Sequence, residues 1–112
     1  MKVESSKNIP LETVEMEGAE GVAVRWLISG KDGVPNFAMR LFTVEPGGCT
    51  PLHTHPFEHE AFVLEGEGVL VFEEKEYEFK KDYFLFVPPD KEHQFQNTGE
   101  KMLKFLCLIP IV

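Results

Sequence analysis

The strongest constraint on this chain is its punctuation. Apolar runs of four to nine residues, rich in Val, Ile, Phe and Leu, stop again and again at glycine or proline. No segment beyond about ten residues carries a clean 3.6-residue period. The runs are VAVRWLIS (22–29), FAMRLFTVE (37–45), AFVLE (61–65), VLVFE (69–73), EYEFK (76–80), YFLFV (83–87), HQFQN (93–97) and MLKFLCLIP (102–110). Short strands at intervals of roughly 8–12 residues, joined at turn residues, predict an all-β sandwich or barrel. Turns are expected at Gly30–Gly33, at Glu74-Lys75 and at Thr98–Glu100, with Pro46-Gly47-Gly48 breaking the second strand. With 112 residues there is room for one domain. Residues 1–20 read as an extended N-terminal arm and 21–112 as the barrel.

Composition excludes several classes of partner. The net charge of −8 opposes binding to a phosphate backbone, so nucleic acid is not expected. No apolar run approaches the ~18 residues of a membrane span, and the first residues lack the apolar stretch of a signal peptide, so cytoplasmic residence and no membrane contact are expected. Cys49 and Cys107 form no CxxC pair and read as reduced thiols. Ten phenylalanines imply an aromatic interior, or an apolar face that pairs with another subunit. The strand 37–45 is apolar on both faces, which also asks for cover on both sides.

Chemistry concentrates in two segments. GGCTPLHTHPFEHEAFVLEG (47–66) holds His53, His55 and His59, and DYFLFVPPDKEHQFQN (82–97) holds His93. On a strand, residues two apart share a face, about 7 Å apart along the chain. His53 and His55 can therefore converge on one ion. A single histidine on an apolar strand is more often a hydrogen-bonded core residue, and an HxH pair alone is a weak signal. HxHxxxH is stronger, and a fourth histidine from a remote strand would close a ring.

The two segments resemble the paired motifs of the cupin superfamily. Gly47, five residues, His53-Thr54-His55, three residues, His59, six residues and Gly66 follow the first motif, with His59 where most cupins carry glutamate. Glu60 sits one residue off that spacing. Asp82, Pro88, Asp90, His93 and Asn97 follow the second, with aspartate replacing both motif glycines. Aspartate tolerates the left-handed turn better than most residues. The sequence is similar to the single-domain four-histidine manganese cupins in particular. That resemblance implies a double-stranded β-helix (jelly-roll barrel), a homodimer, and a divalent metal on His53, His55, His59 and His93. It further implies oxygen- or peroxide-dependent oxidation or C=C cleavage of a small organic substrate. Manganese is favoured by the resemblance alone; imidazole chemistry equally admits Fe, Ni, Cu, Zn and Co.

Four neutral imidazoles leave a divalent site at +2, where a carboxylate ligand would leave +1. Bound histidines must be deprotonated, so metal loss is expected below pH of about 6.5. Glu58, Glu60 and Glu92 are candidate acceptors for the ring N–H groups. Strand alternation turns Phe95, Phe105, Cys107 and Ile109 inward as pocket candidates. Arg40 either faces inward, as a partner for a carboxylate or peroxide, or outward into an ion pair. The rival functions are a non-catalytic small-molecule binding or sensing module, and isomerase or lyase chemistry on a small acid.

Overall fold

The computed structural model describes residues 1–111; Val112, the last residue of the expected barrel range, lies outside the described residues. Nine strands follow one another: β1 (Glu12–Thr13), β2 (Glu20–Ile28), β3 (Phe37–Cys49), β4 (His59–Glu65), β5 (Glu67–Phe72), β6 (Lys75–Lys80), β7 (Phe84–Val87), β8 (His93–Gln96) and β9 (Leu103–Pro110). Their only helical companions among the described residues are two 3-10 turns, at Ser6–Asn8 and Gly30–Asp32. The strands form one curled sheet in the order β6-β5-β8-β3-β9-β4-β7, with β2 also on β3 and β1 on β2. This is a single-domain, all-β barrel, as the strand pattern predicts.

β3 is the element that closes the barrel. Phe37–Val44 pair with β9, while Cys49 pairs with Gln96 of β8. The strand was expected to break at Pro46-Gly47-Gly48, and instead it bends there and continues. Gly47 adopts φ of 81°, a conformation that suits glycine, and its N–H donates to the Asn97 carbonyl at 3.1 Å. Gly48 lies so close to the Glu20 carbonyl that a Cβ would collide with it. Asn97 fastens the same corner. It is buried, its Nδ2 donates to the carbonyls of Val44 and Lys101 (both 2.8 Å), and its Oδ1 accepts from Gly99 N at 2.9 Å.

The two aspartates in place of the motif glycines do adopt left-handed backbone, Asp82 at φ 74° and Asp90 at φ 65°. The β5–β6 hairpin turns one residue earlier than expected, on Glu73 and Glu74. Both have positive φ, 49° and 68°, as the tight two-residue hairpin turn requires. Tyr77 and Phe79 share a face of β6, yet only Phe79 is buried. The tip of this edge hairpin runs past the core.

The core lies inside the curl. Val22, Val44, Val63, Leu103, Phe105 and Cys107 are almost fully inaccessible, and Phe105 stacks between Phe42 and Phe95 with ring centroids 5.3 and 4.6 Å apart. The outer face of the larger half of the sheet is different. Register aligns Leu41, Leu106, Phe62 and Phe84 in one row across β3, β9, β4 and β7. Phe84 is 82% exposed and Phe86 61%. The phenylalanines therefore divide between an aromatic interior and an outward apolar face.

Candidate metal centre

The HTH pair does not sit on a strand. It lies on the loop between β3 and β4, where Pro51 and Pro56 remove two of the N–H donors that a ladder would need. An isolated antiparallel bridge ties the loop to the start of β8. His53 N donates to the His93 carbonyl (3.2 Å), and His93 N donates to the His53 carbonyl (3.1 Å). The Asp90 N–H donates to the His55 carbonyl at 2.8 Å. Asp90, Pro89 and the bridge together fold the second segment over the first, which brings His93 against His53 and His55.

Side-chain nitrogens of His53, His55 and His93 all lie within 4.8 Å of one another. Ring centroids are 5.1 Å apart for His53–His55, 5.2 Å for His53–His93 and 4.9 Å for His55–His93. His59, the first residue of β4, meets the same group. Its ring is 4.5 Å from His55 and 5.0 Å from His93, and its Nε2 is 2.7 Å from His55 Nε2.

Hydrogen bonds fix which nitrogens are free. His55 Nδ1 is 2.8 Å from the Phe57 carbonyl, and His93 Nδ1 is 2.8 Å from the Lys91 carbonyl. A carbonyl can only accept, so both Nδ1 atoms carry hydrogen and both Nε2 atoms present lone pairs. Glu58, Glu60 and Glu92 do not take this role. The backbone two residues away reaches the rings first, and Glu60 is exposed on the outer face of β4, opposite Phe86. His53 Nδ1 is buried without a hydrogen-bond partner.

Residues 40–109 match the cupin domain of the Cupin_2 type. The chain belongs to the cupin family. The oxalate-binding protein of Thermotoga maritima is 33% identical over 113 aligned positions, covering 97% of this chain and 93% of that protein. The polyketide cyclase RemF from Streptomyces resistomycificus has a solved structure that superposes with a TM-score of 0.93 at 32% identity, covering 100% of this chain and 80% of that one. An uncharacterized Methanocaldococcus jannaschii protein is 35% identical over 65 residues. That match spans 57% of this chain and 52% of the archaeal protein.

The donor set of this cupin fits a divalent metal ion. Three neutral imidazoles converge, two with lone pairs fixed by second hydrogen bonds and one with a buried nitrogen that has no other partner. Burial favours the neutral form of His53, His55 and His59. It lowers the pKa of His53, with the charge of His93 next in effect, and it lowers that of His55, where the Phe57 carbonyl pulls the other way. His59 is pushed furthest, to about 2, by burial first and by the Arg40 charge second.

The far side of His59 holds a second cluster. Arg40 faces the barrel interior, with Nη2 3.2 Å from His59 Nδ1 and 3.2 Å from Cys107 Sγ. Cys107 Sγ is itself 3.1 Å from His59 Nδ1. Guanidinium only donates, so His59 Nδ1 accepts from Arg40 when that contact is made, and Nε2 then carries the hydrogen it shares with His55. To offer Nε2 to a metal, His59 must move its hydrogen to Nδ1, where Cys107 sulfur can accept it and Arg40 cannot. Burial raises the Cys107 pKa, so the sulfur is a thiol.

These groups lie at the floor of a cavity of about 610 Å³. Phe95, Phe105 and Cys107 line it, as do Trp26, Phe42 and Phe57. Ile109 does not line it and packs instead at the margin of the core. Trp26 was legible in the alternation Val22, Val24, Trp26 along β2. Phe57, stacked on His55 at 4.0 Å, had no sequence signal, because it sits in an irregular loop.

Proposed function

We propose that this cupin holds a divalent metal, manganese favoured, on His53, His55, His59 and His93. In this reading it is an oxidoreductase that uses dioxygen or peroxide to oxidise, or cleave at a C=C bond, a small and partly apolar substrate. The observation that carries the proposal is the convergence of His53, His55 and His93, with His59 packed beside them, on one apolar cavity. A bound manganese ion supplies Lewis acidity and redox chemistry toward dioxygen or peroxide. The chain supplies the rest. The carbonyls of Phe57 and Lys91 orient His55 and His93, Cys107 accepts the His59 Nδ1 hydrogen, and Phe42, Phe95 and Phe105 exclude water around an unsaturated or aromatic substrate. The likeness to a polyketide cyclase supports an organic substrate.

Elemental analysis of protein purified without chelators identifies the metal. Turnover of an alkene and catechol panel with dioxygen or peroxide should be present in the wild type and absent in His59→Ala. A protein that retains its metal but turns over nothing under any oxidant sinks the oxidoreductase reading.

A second reading is a non-catalytic small-molecule binding cupin. The oxalate-binding relative, aligned over nearly the whole chain, favours it. Tight ligand binding with no change in the ligand identifies that case. A homodimer is part of either reading. The exposed row of Phe62, Phe84 and Phe86 supports it, and sedimentation of Phe84→Glu beside wild type tests it: equal mass at all concentrations rules this face out.

A further inference from the structure

Arg40 is a cation without a counter-ion. The three ion pairs among the described residues are Lys2–Asp32, Lys91–Glu73 and Lys104–Glu65, and none includes it. Its Nε is buried with no hydrogen-bond partner. Its two polar contacts are neutral groups, the imidazole of His59 and the thiol of Cys107. Its flat face lies 4.8 Å from the Phe42 ring centroid and 5.4 Å from that of Trp26. Aromatic faces stabilise a guanidinium in place but leave its in-plane N–H donors free. Burying a charge is costly unless it is paired. In a chain of net charge −8, leaving the one arginine of the cavity unpaired is a specific arrangement rather than a shortage of acids. The acids that do line the cavity, Glu12 and Glu15, are exposed on the N-terminal arm and pair with nothing there.

We infer that the cavity takes a small monocarboxylate with an apolar or aromatic body, and that Arg40 is the residue that selects the carboxylate. Guanidinium binds carboxylate through parallel N–H donors, and the pairing is strongest where water is excluded. The apolar walls, among them Val22, Val24 and Phe105, fit the body and offer no second cation for a second carboxylate. Because Arg40 adjoins His59, a carboxylate held there fixes the rest of the ligand beside the histidine cluster. The inference rests on reading this cavity as the substrate site, but it needs neither a metal nor any redox step.

The test is therefore binding, not turnover. Hydrocinnamate and its uncharged isostere hydrocinnamide are titrated into chelator-treated and metal-loaded protein. Calorimetry is read alongside the fluorescence of Trp26, the only tryptophan in the chain and a cavity residue. In chelator-treated protein the acid should bind at least tenfold more tightly than the amide, the scale of one charge-assisted pair. Arg40→Gln should remove the preference while amide binding persists, which also shows that the cavity is still formed. Arg40→Lys should retain part of it. Equal affinity for acid and amide in the wild type, or binding of neither, overturns the inference. A preference that survives Arg40→Gln, or that appears only after metal loading, also overturns it, since the carboxylate then sits on the ion. Failure of the oxidoreductase assay leaves every one of these outcomes unchanged.

Discussion

Acid should destabilise the metal-free protein through His59, and the size of the effect follows from its burial. The side chain is 7% exposed, and its pKa is lowered from the ordinary 6.5 to about 2, with desolvation as the first cause and the Arg40 charge as the second. In the unfolded chain the same imidazole takes up a proton near pH 6.5. The unfolded state thus binds more protons than the folded state between these two values, and stability must fall as pH falls through that window. Each unit of pH costs about 1.4 kcal/mol for a group that stays neutral in the fold. From about pH 6.5 to about pH 4.5 His59 alone therefore removes roughly 2–3 kcal/mol, a large share of the ~5–15 kcal/mol of a typical domain. His53 and His55 are lowered in the same direction and steepen the trend. The assay is urea unfolding of chelator-treated wild type and His59→Asn across this range. With a urea m-value of about 1–3 kcal/mol/M, the wild-type midpoint should drop by about 1–2 M more than that of the variant. Relief of self-repulsion and protonation of surface carboxylates act on both proteins alike and cancel in the comparison. Parallel pH slopes for the two proteins would refute the argument, as would a wild type that gains stability relative to the variant on acidification.

Three further outcomes are expected. Asn97→Ala removes three short hydrogen bonds at a buried corner, so chemical denaturation should show a loss of about 3 kcal/mol; a loss below about 1 kcal/mol contradicts the corner role assigned to it. Asp90→Gly should leave stability within about 1 kcal/mol of wild type, whereas Asp90→Val should cost about 1–2 kcal/mol or more, because a β-branched residue resists the φ of 65° found there; equal melting temperatures for the two variants would count against the backbone argument. Metal retention, followed by dialysis and elemental analysis, should persist below pH 6.5, since burial already keeps His53, His55 and His59 neutral there; release complete at pH 6.5 would show that the imidazoles titrate as free ones do.

Much of this was legible along the chain because a strand has a period of two. Alternation alone turns Phe95, Phe105 and Cys107 inward, and it would have turned Trp26 inward too. The motif intervals singled out His53, His55, His59 and His93, and the replacement of glycine by aspartate at 82 and 90 was readable as left-handed backbone. Alternation gives a face and not a distance. It therefore could not say that Ile109, on the same face as Cys107, falls outside the cavity. It had no purchase on the loop 50–58, where the HTH pair sits on irregular backbone and the ring hydrogen bonds go to carbonyls instead of to glutamates.

The sequence by itself determined an all-β sandwich or barrel of short strands, with its four histidines in two patterned segments, since propensity, turn chemistry and spacing are local properties. Cross-strand register belongs to the tertiary structure. Only there does Arg40 on β3 pair with Cys107 on β9, and Cys107 with Ala61 two residues beyond His59 on β4. That register puts an unpaired guanidinium, a thiol and the far nitrogen of His59 within about 3 Å of one another, and so gives the histidine cluster a charged, anion-seeking wall that no spacing in the chain announces.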